Sequence, residues 1–316
     1  MINFVVGNRG GGKTFNTLEL CIRRFLKYGK QFIYLRRYQT ELQNTKDSLF
    51  DAIKHVGHFP DTEFKVDGDK FIINGEIAGY AVALSTSRQL KSKSLPLCDF
   101  ILFDEFLLDK GRTTYIKDEV RILLDLIETV GRMDDIRVML LSNAITMSNI
   151  YFDYFRITPN RRTEFTKHPT KPIVLQLYTS NEFIEAKKET QFGKLIEGTS
   201  YGEYAIHNMF TNDSYEFIEP MKGKGNYLMT FDYLGKSYGV YSLANKGIYH
   251  INTATNPSCK LKFAFSTDDH KPNYLLFQSA KKHPFIQRLK YAYEMGFVRF
   301  DTLSTKNTLY SLFDYL

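Results

Sequence analysis

The sequence predicts an α/β protein with an N-terminal doubly wound domain, a short connector and a smaller C-terminal α+β domain. Three observations carry this. Residues 1–160 alternate strand-like and helix-like segments, the pattern of a parallel sheet wound with helices. The runs Phe100–Phe103 and Val138–Leu141 are continuously apolar, as central strands covered on both faces must be. From residue 214 the pattern becomes strand-rich, after a stretch broken by Pro159, Pro169, Pro172, Gly193, Gly198 and Gly202. The expected boundaries are 1–180 for the first domain, 181–213 for the linker and 214–316 for the second.

The elements follow in order. Strands are expected at 2–6, 31–35, 71–73, 79–84, 100–103 and 138–142, and helices at 14–28, 41–56 and 117–131. Gly29 stops the first helix. Asn74-Gly75 between apolar runs signals a hairpin at the sheet edge. The stretch from 157 to 213 reads as irregular, with a short helix or two after residue 182. Beyond it, 227–233, 237–243 and 247–251 form a meander, and helices follow near 285–295 and 306–315.

Composition narrows the class. The 316 residues are 43% hydrophobic, enough for a substantial core. Three widely spaced cysteines, Cys21, Cys98 and Cys259, indicate neither a disulfide framework nor a zinc site, and fit a reducing compartment. No signal peptide is expected, because the first apolar run has strand length. No run approaches a membrane span, so a soluble protein without membrane partners is expected. The net charge is +7, and residues 214–316 carry 13 Lys+Arg against 8 Asp+Glu. Either a polyanion such as nucleic acid or plain solvent faces that surplus.

The most specific motif is Gly7-Asn8-Arg9-Gly10-Gly11-Gly12-Lys13-Thr14, which fits G-x-x-x-x-G-K-[ST]. Such a loop between a strand and a helix wraps nucleotide phosphates. Its glycines let the backbone approach closely, and the helix N-terminus offers free N–H groups. Lys13 is expected on the β- and γ-phosphates of ATP, and Thr14 on Mg²⁺. Phe100-Ile101-Leu102-Phe103-Asp104-Glu105 supplies the acidic partner strand. Asp104, at the C-terminal end where such sheets bind ligands, is expected to hold Mg²⁺. Glu105 is expected to orient and deprotonate the attacking water. Ser142 and Asn143 end the next buried strand, where they either sense the γ-phosphate or serve as turn and cap residues.

Other residues leave two readings open. Arg132, after the 117–131 helix, is either an arginine finger for a neighbouring subunit or a cation favouring a helix C-terminus. Arg9 faces phosphates, a neighbour or solvent. His55 and His58 have ligand-like spacing but no companions, which favours an exposed helix end. Lys222-Gly223-Lys224-Gly225 is a basic loop tip or a flexible turn.

With these residues located, the chain resembles the DNA-packaging (encapsidation) ATPases of φ29-type tailed phages. The resemblance rests on Phe103-Asp104-Glu105-Phe106 and Leu141-Ser142-Asn143-Ala144. It rests more specifically on Arg24-Phe25-Leu26-Lys27-Tyr28-Gly29-Lys30-Gln31-Phe32-Ile33-Tyr34-Leu35-Arg36-Arg37-Tyr38 and on Gly193-Lys194-Leu195-Ile196-Glu197-Gly198-Thr199-Ser200-Tyr201-Gly202-Glu203. It covers nearly the whole chain. It implies an additional-strand, catalytic-glutamate (ASCE) P-loop ATPase domain, followed by a vestigial RNase H-like domain without cutting activity. It implies a homo-oligomeric ring, a pentamer, at the portal vertex of a prohead in the host cytoplasm. The implied partners are double-stranded DNA, the portal or connector, and a small structural RNA. Arg132 falls at the trans-acting finger position, and Lys91, in Lys91-Ser92-Lys93-Ser94, at another basic position near the subunit interface. Met133-Asp134-Asp135 is less basic than in other members, which argues against a DNA-gripping role there. Asp232 falls on the first strand of the second domain, where an active nuclease carries a metal-binding carboxylate. Asp268, Asp269 and Asp301 are its only candidate companions, in no recognisable motif.

The resulting expectation is a motor that hydrolyses ATP to translocate double-stranded DNA into a preformed capsid. DNA contacts are expected between Leu107 and Lys117, through Lys110 and Arg112. The alternatives are a nucleotide-dependent nucleic-acid-binding switch and a terminase-like protein that retains nuclease activity.

Overall fold

The computed structural model describes the chain apart from residues 93–94, 109–114, 144–145, 147–148, 158, 160–162, 180, 200–201, 203–215, 234, 266–268 and 316. Of residues 91–92, 181, 277–278, 310–311 and 314–315 it describes the backbone alone. The chain divides into two compact units. The first comprises Met1–Met147 and Tyr154–Thr211, and the second Ser148–Asp153 and Asn212–Leu316.

The first unit opens with β1 (Ile2–Gly7), α1 (Lys13–Tyr28) and β2 (Gln31–Arg36). Then come α2 (Gln39–Thr45), a 3₁₀ turn at Lys46–Ser48 and α3 (Asp51–Val56), where one continuous helix over 41–56 was expected. Hydroxyls gather at the break. Thr45 Oγ1 donates to the carbonyls of Glu41 and Leu42, and Ser48 Oγ to that of Thr45, so side chains compete with backbone amides for helix acceptors there. The antiparallel strands β3 (Phe64–Asp67), β4 (Lys70–Ile73) and β5 (Glu76–Ala83) follow. Asn74 and Gly75 between β4 and β5 both have positive φ, 51° and 82°, as a tight two-residue hairpin turn requires.

A 3₁₀ segment, Leu84–Ser92, leads to β6 (Cys98–Asp104), α4 (Glu119–Gly131) and β7 (Arg137–Asn143). After α5 (Ile150–Phe155), whose residues up to Asp153 belong to the second unit, come β8 (Phe165–Lys167), β9 (Ile173–Tyr178), α6 (Asn181–Glu189) and α7 (Gln191–Ile196). The sheet order is β3-β4-β5-β2-β6-β7-β1-β9-β8. From β5 to β9 every neighbouring pair is parallel. β7 therefore lies between β1, which leads into the glycine-rich loop, and β6, which ends in Asp104.

The apolar runs fill this sheet as their lack of alternation requires: Phe100, Ile101, Leu102, Phe103, Val138, Leu140 and Leu141 are all buried. One face is covered by Leu18, Cys21, Ile22 and Phe25 of α1, spaced three and four residues apart. β9 corrects the expectation of irregular structure after 157. Pro172 does not break the chain there. Its carbonyl accepts the amide of Ile2 at 3.0 Å, and β9 runs beside β1 from that point.

The second unit contains β10 (Asn226–Tyr233), β11 (Lys236–Leu243), β12 (Ile248–Asn252), β13 (Lys262–Ala264) and β14 (Leu275–Leu276). These are followed by α8 (Phe277–Ala280), α9 (Pro284–Glu294), β15 (Val298–Phe300) and α10 (Leu303–Tyr315). β10, β11 and β12 form the expected antiparallel meander. β13 adds parallel to β10 and β15 parallel to β12, giving six strands in the order β14-β13-β10-β11-β12-β15. Met229, Phe231, Val240, Ile251, Ile286, Leu289, Leu309 and Leu312 share its core, and the Tyr293 and Phe313 rings stack at 4.2 Å. Among the described residues no helix is long and apolar enough to cross a membrane.

Candidate active site

Four strand C-termini converge on one cleft. Gly7 ends β1, Arg36 ends β2, Asp104 ends β6 and Asn143 ends β7. In a parallel sheet these ends lie on the same edge, where the loops are free to build a site. Gly10–Thr14, Asp104, Glu105, Ser142 and Asn143 line the cleft.

The loop owes its glycines to packing as well as to conformation. A Cβ on Gly7 would stand 2.3 Å from the Tyr178 carbonyl oxygen of β9, so only glycine fits. Gly12 has φ 77° and launches α1 from the left-handed region. Lys13, the first residue of α1, folds back over the loop. Its Nζ donates to the carbonyls of Asn8 at 2.6 Å and Gly7 at 3.2 Å, and to Oδ1 of Asn143 at 3.3 Å. Burial pushes its pKa down to about 8, against the opposing pull of the Asp104 carboxylate.

Thr14 Oγ1 donates to Asp104 Oδ1 at 3.0 Å. Asp104 Oδ2 accepts from Tyr34 at 3.3 Å and from Nη1 of Arg36 at 3.2 Å. Burial raises the pKa of Asp104, and the Arg36 charge works the other way. Glu105 follows with φ 58°, a conformation that costs a non-glycine residue about 1–2 kcal/mol. The turn aims its carboxylate back toward β2, where Oε2 accepts from Arg36 Nη2 at 2.7 Å. One buried guanidinium thus holds both carboxylates. Ser142 is buried, and its Oγ has no hydrogen-bond partner among the described residues. Asn143 accepts from Lys13 through Oδ1.

Arg9 is exposed, and its charge adds to burial in lowering the pKa of Lys187 on α6. Arg132 is not brought to the cleft. α4 starts at the loop edge of the sheet, spans roughly 20 Å, and ends at the opposite edge, where Arg132 is exposed with φ 50°. The Lys91 side chain, Lys110, Arg112 and Asp268 lie outside the described residues. His58 Nδ1 lies 3.1 Å from Glu19 Oε1 on the exposed face of α1.

Tyr34, Arg36 and Arg37 carry site contacts that reading the sequence did not assign. Their signal is present: an apolar strand, Phe32-Ile33-Tyr34-Leu35, that ends in two arginines. In a sheet whose next strand ends Asp-Glu, such a pair has carboxylates to meet. Arg36→Ala would strip a buried carboxylate of its cation, which costs about 3 kcal/mol. Denaturant unfolding should show that loss; a change below about 0.5 kcal/mol, typical of a surface site, would contradict it.

In the second unit, Asp232 is buried on β10 and its Oδ2 accepts from Lys271 Nζ at 2.6 Å. Asp269 accepts from the Gly235 amide at 2.8 Å. Among the described residues no group of three His, Cys, Asp or Glu is placed to hold a metal ion.

Fold and cleft together define a two-unit mixed α/β protein with a glycine-rich loop, a lysine and paired carboxylates at one edge of a parallel sheet. The chain belongs to the family of Podovirus DNA encapsidation proteins (Gp16), whose model matches residues 1–316. It is 37% identical over 314 residues to a DNA packaging protein of Bacillus phage phi29, covering 99% of this chain and 93% of the relative. It is similar to a chain of the bacteriophage Phi-29 viral genome packaging motor assembly, with TM-score 0.72 and 36% identity over 99% of this chain and 94% of that one. It is also similar to the crystallised N-terminal domain of the phi29 DNA packaging ATPase, with TM-score 0.54 and 38% identity over 58% of this chain and 92% of that one.

Proposed function

We propose that this chain is an ATP-hydrolysing motor that translocates double-stranded DNA into a preformed prohead. The carrying observation is the convergence of Lys13, Thr14, Asp104, Glu105 and Asn143 at one strand edge of a chain matched end to end by a packaging-motor subunit. The strand order supports an ASCE P-loop domain, because β7 separates the loop strand from the acidic strand and Glu105 follows Asp104.

ATP and Mg²⁺ fit the donors present. Burial disfavours the charges of both Lys13 and Asp104, a cost that a phosphate beside the one and a divalent cation beside the other would offset. Among the described residues Ser142 Oγ is buried without a partner, as a group awaiting a ligand is. Thr14 and Asp104 would hold Mg²⁺, which supplies charge neutralisation at the phosphates. The loop amides and Lys13 bind and orient the phosphates. Glu105 accepts the proton of the attacking water once its carboxylate leaves Arg36. Asn143, already on Lys13, passes any shift of that ammonium to β7. Ser142 sits beside it. Arg9 and the Lys91 position belong to the rim that a neighbour meets.

Arg132 acts in trans. Its place at the far edge of its own sheet favours this, since a side chain there cannot reach its own cleft. The ring is a pentamer, with the portal, DNA and a structural RNA as partners, at the portal vertex in the host cytoplasm. DNA contacts fall in 107–117, and they read phosphates rather than bases, because a motor must treat every sequence alike. The second unit is a reduced RNase H-like domain. The Lys271 ammonium on Asp232 Oδ2 favours the absence of cutting activity, because a nuclease would give that oxygen to a metal.

Two experiments test the proposal. Steady-state ATPase activity of the purified chain should rise when proheads and DNA are added together; no rise favours the non-motor switch. In mixed rings, Arg132→Ala subunits keep Glu105 and Glu105→Gln subunits keep Arg132. Mixing them should restore some of the turnover that each lacks alone, and no rescue at any ratio would contradict a trans role.

A further inference from the structure

Arg37 plays no part in the steps above, yet it is among the most completely buried side chains of the first unit, 1% exposed. Its Nε donates to Glu119 Oε2 at 2.8 Å, and the Glu119 side chain is 0% exposed. Nη1 donates to the carbonyl of Glu105 at 3.2 Å, and Nη2 to that of Phe106 at 2.5 Å. The guanidinium carbon lies 5.7 Å from the Phe103 ring centre and 5.2 Å from that of Tyr115. Glu119 also accepts the Ile116 amide at 2.8 Å and is the first residue of α4. One planar fork therefore joins the end of β2, the turn that carries Glu105, and the start of α4.

Stability alone does not call for such a device, because well-packed apolar residues often replace a buried ion pair at no cost. Its partners point to another role. Glu105 and Asp118, the residue before Glu119, are both held at positive φ, 58° and 52°. Adjacent residues along a strand face opposite sides. Arg36 accordingly meets the Glu105 side chain while Arg37 meets its backbone. A rigid guanidinium cannot follow one of these acceptors without straining the others.

We infer that Arg37 is a positioning residue for Glu105 and the strut through which a movement of Glu105 reaches α4. This rests on Glu105 being the base of the proposed ATPase. When Glu105 swings from Arg36 toward the cleft, its carbonyl turns against the fork, and the fork moves Glu119. α4 carries that movement to Arg132, at its other end. A change at one site thus reaches the residue assigned to the neighbour's site.

The test uses the full chain and compares ATP binding with single-turnover hydrolysis. The variants are Arg37→Lys and the double variant Arg37→Met/Glu119→Leu. Lysine keeps the charge opposite Glu119 but not the fork, and the double variant removes both buried charges together. Both should bind ATP within about threefold of wild type and hydrolyse it at least about tenfold more slowly. In a Glu105→Gln background, Arg37→Lys should add no further loss, since nothing remains to position. ATP should change amide exchange at residues 119–123 in wild type and leave it unchanged in Arg37→Lys.

An unaffected rate in either variant overturns the inference. So does a loss of binding in step with rate, an additive loss in the Gln background, or an ATP-dependent exchange change that survives Arg37→Lys. A wild type that binds ATP without hydrolysing it sinks the ATPase reading and this inference with it. A wild type that hydrolyses, beside an unaffected Arg37→Lys, sinks this inference alone.

Discussion

Glu105→Gln should bind ATP with near wild-type affinity and hydrolyse it roughly 10²–10⁴-fold more slowly, the range a positioned base contributes. The substitution is close to isosteric, and glutamine meets the same cost at φ 58° as glutamate. The ion pair it weakens involves a carboxylate side chain that is 57% exposed, so the fold loses at most about 1 kcal/mol. Arg36 keeps Asp104, and the loop, Lys13 and Thr14 are untouched. Binding and chemistry should therefore separate. The measurement is ATP affinity beside single-turnover hydrolysis. Rapid hydrolysis by the variant would move the base elsewhere.

Lys13→Ala should abolish tight ATP binding, and turnover with it. A unit charge pair at about 4 Å near a protein surface is worth about 4 kcal/mol, so affinity should fall by a hundredfold or more. The fold should change little. Burial holds the Lys13 pKa at about 8, below its unfolded value. A charged lysine there opposes folding at neutral pH, and the opposition fades as pH rises from the folded toward the unfolded value. Alanine removes that opposition but also the hydrogen bonds to Asn8, Gly7 and Asn143. Unfolding should therefore show only a small net change in stability beside lost binding. Normal nucleotide affinity would overturn the assignment of the loop.

These two predictions concern the part of the molecule that the sequence makes most legible. The loop and the Phe100–Glu105 strand are local strings, and their chemistry needs only neighbours along the chain. The central strands are legible for a similar reason, because burial on both faces leaves an unbroken apolar run. What escaped depends on distant partners. β9 pairs with β1 from the far end of the unit, and the prolines before it look like breakers until Pro172 is seen accepting the Ile2 amide. The short strands β13, β14 and β15 have only two or three residues in which to show a period.

The arginines show the same limit more sharply. Arg36 and Arg37 stand side by side in the sequence, and nothing local says that one meets the Glu105 carboxylate and the other its backbone carbonyl. The alternation of the strand fixes which side each faces, and the placement of β6 next to β2 fixes what each finds there. The φ of Glu105 is equally silent in the sequence, because a glutamate gives no cue for a left-handed turn. Arg132 is the reverse case. Its type and spacing are legible, but its distance from its own cleft follows only from the direction of α4.

If the cleft drives DNA into a capsid, DNA packaging in a purified system is where that must be seen. Proheads, DNA and the purified chain should yield nuclease-protected DNA with ATP and none without it, and Glu105→Gln should protect none. Equal protection without ATP, or undiminished protection with Glu105→Gln, would contradict the account.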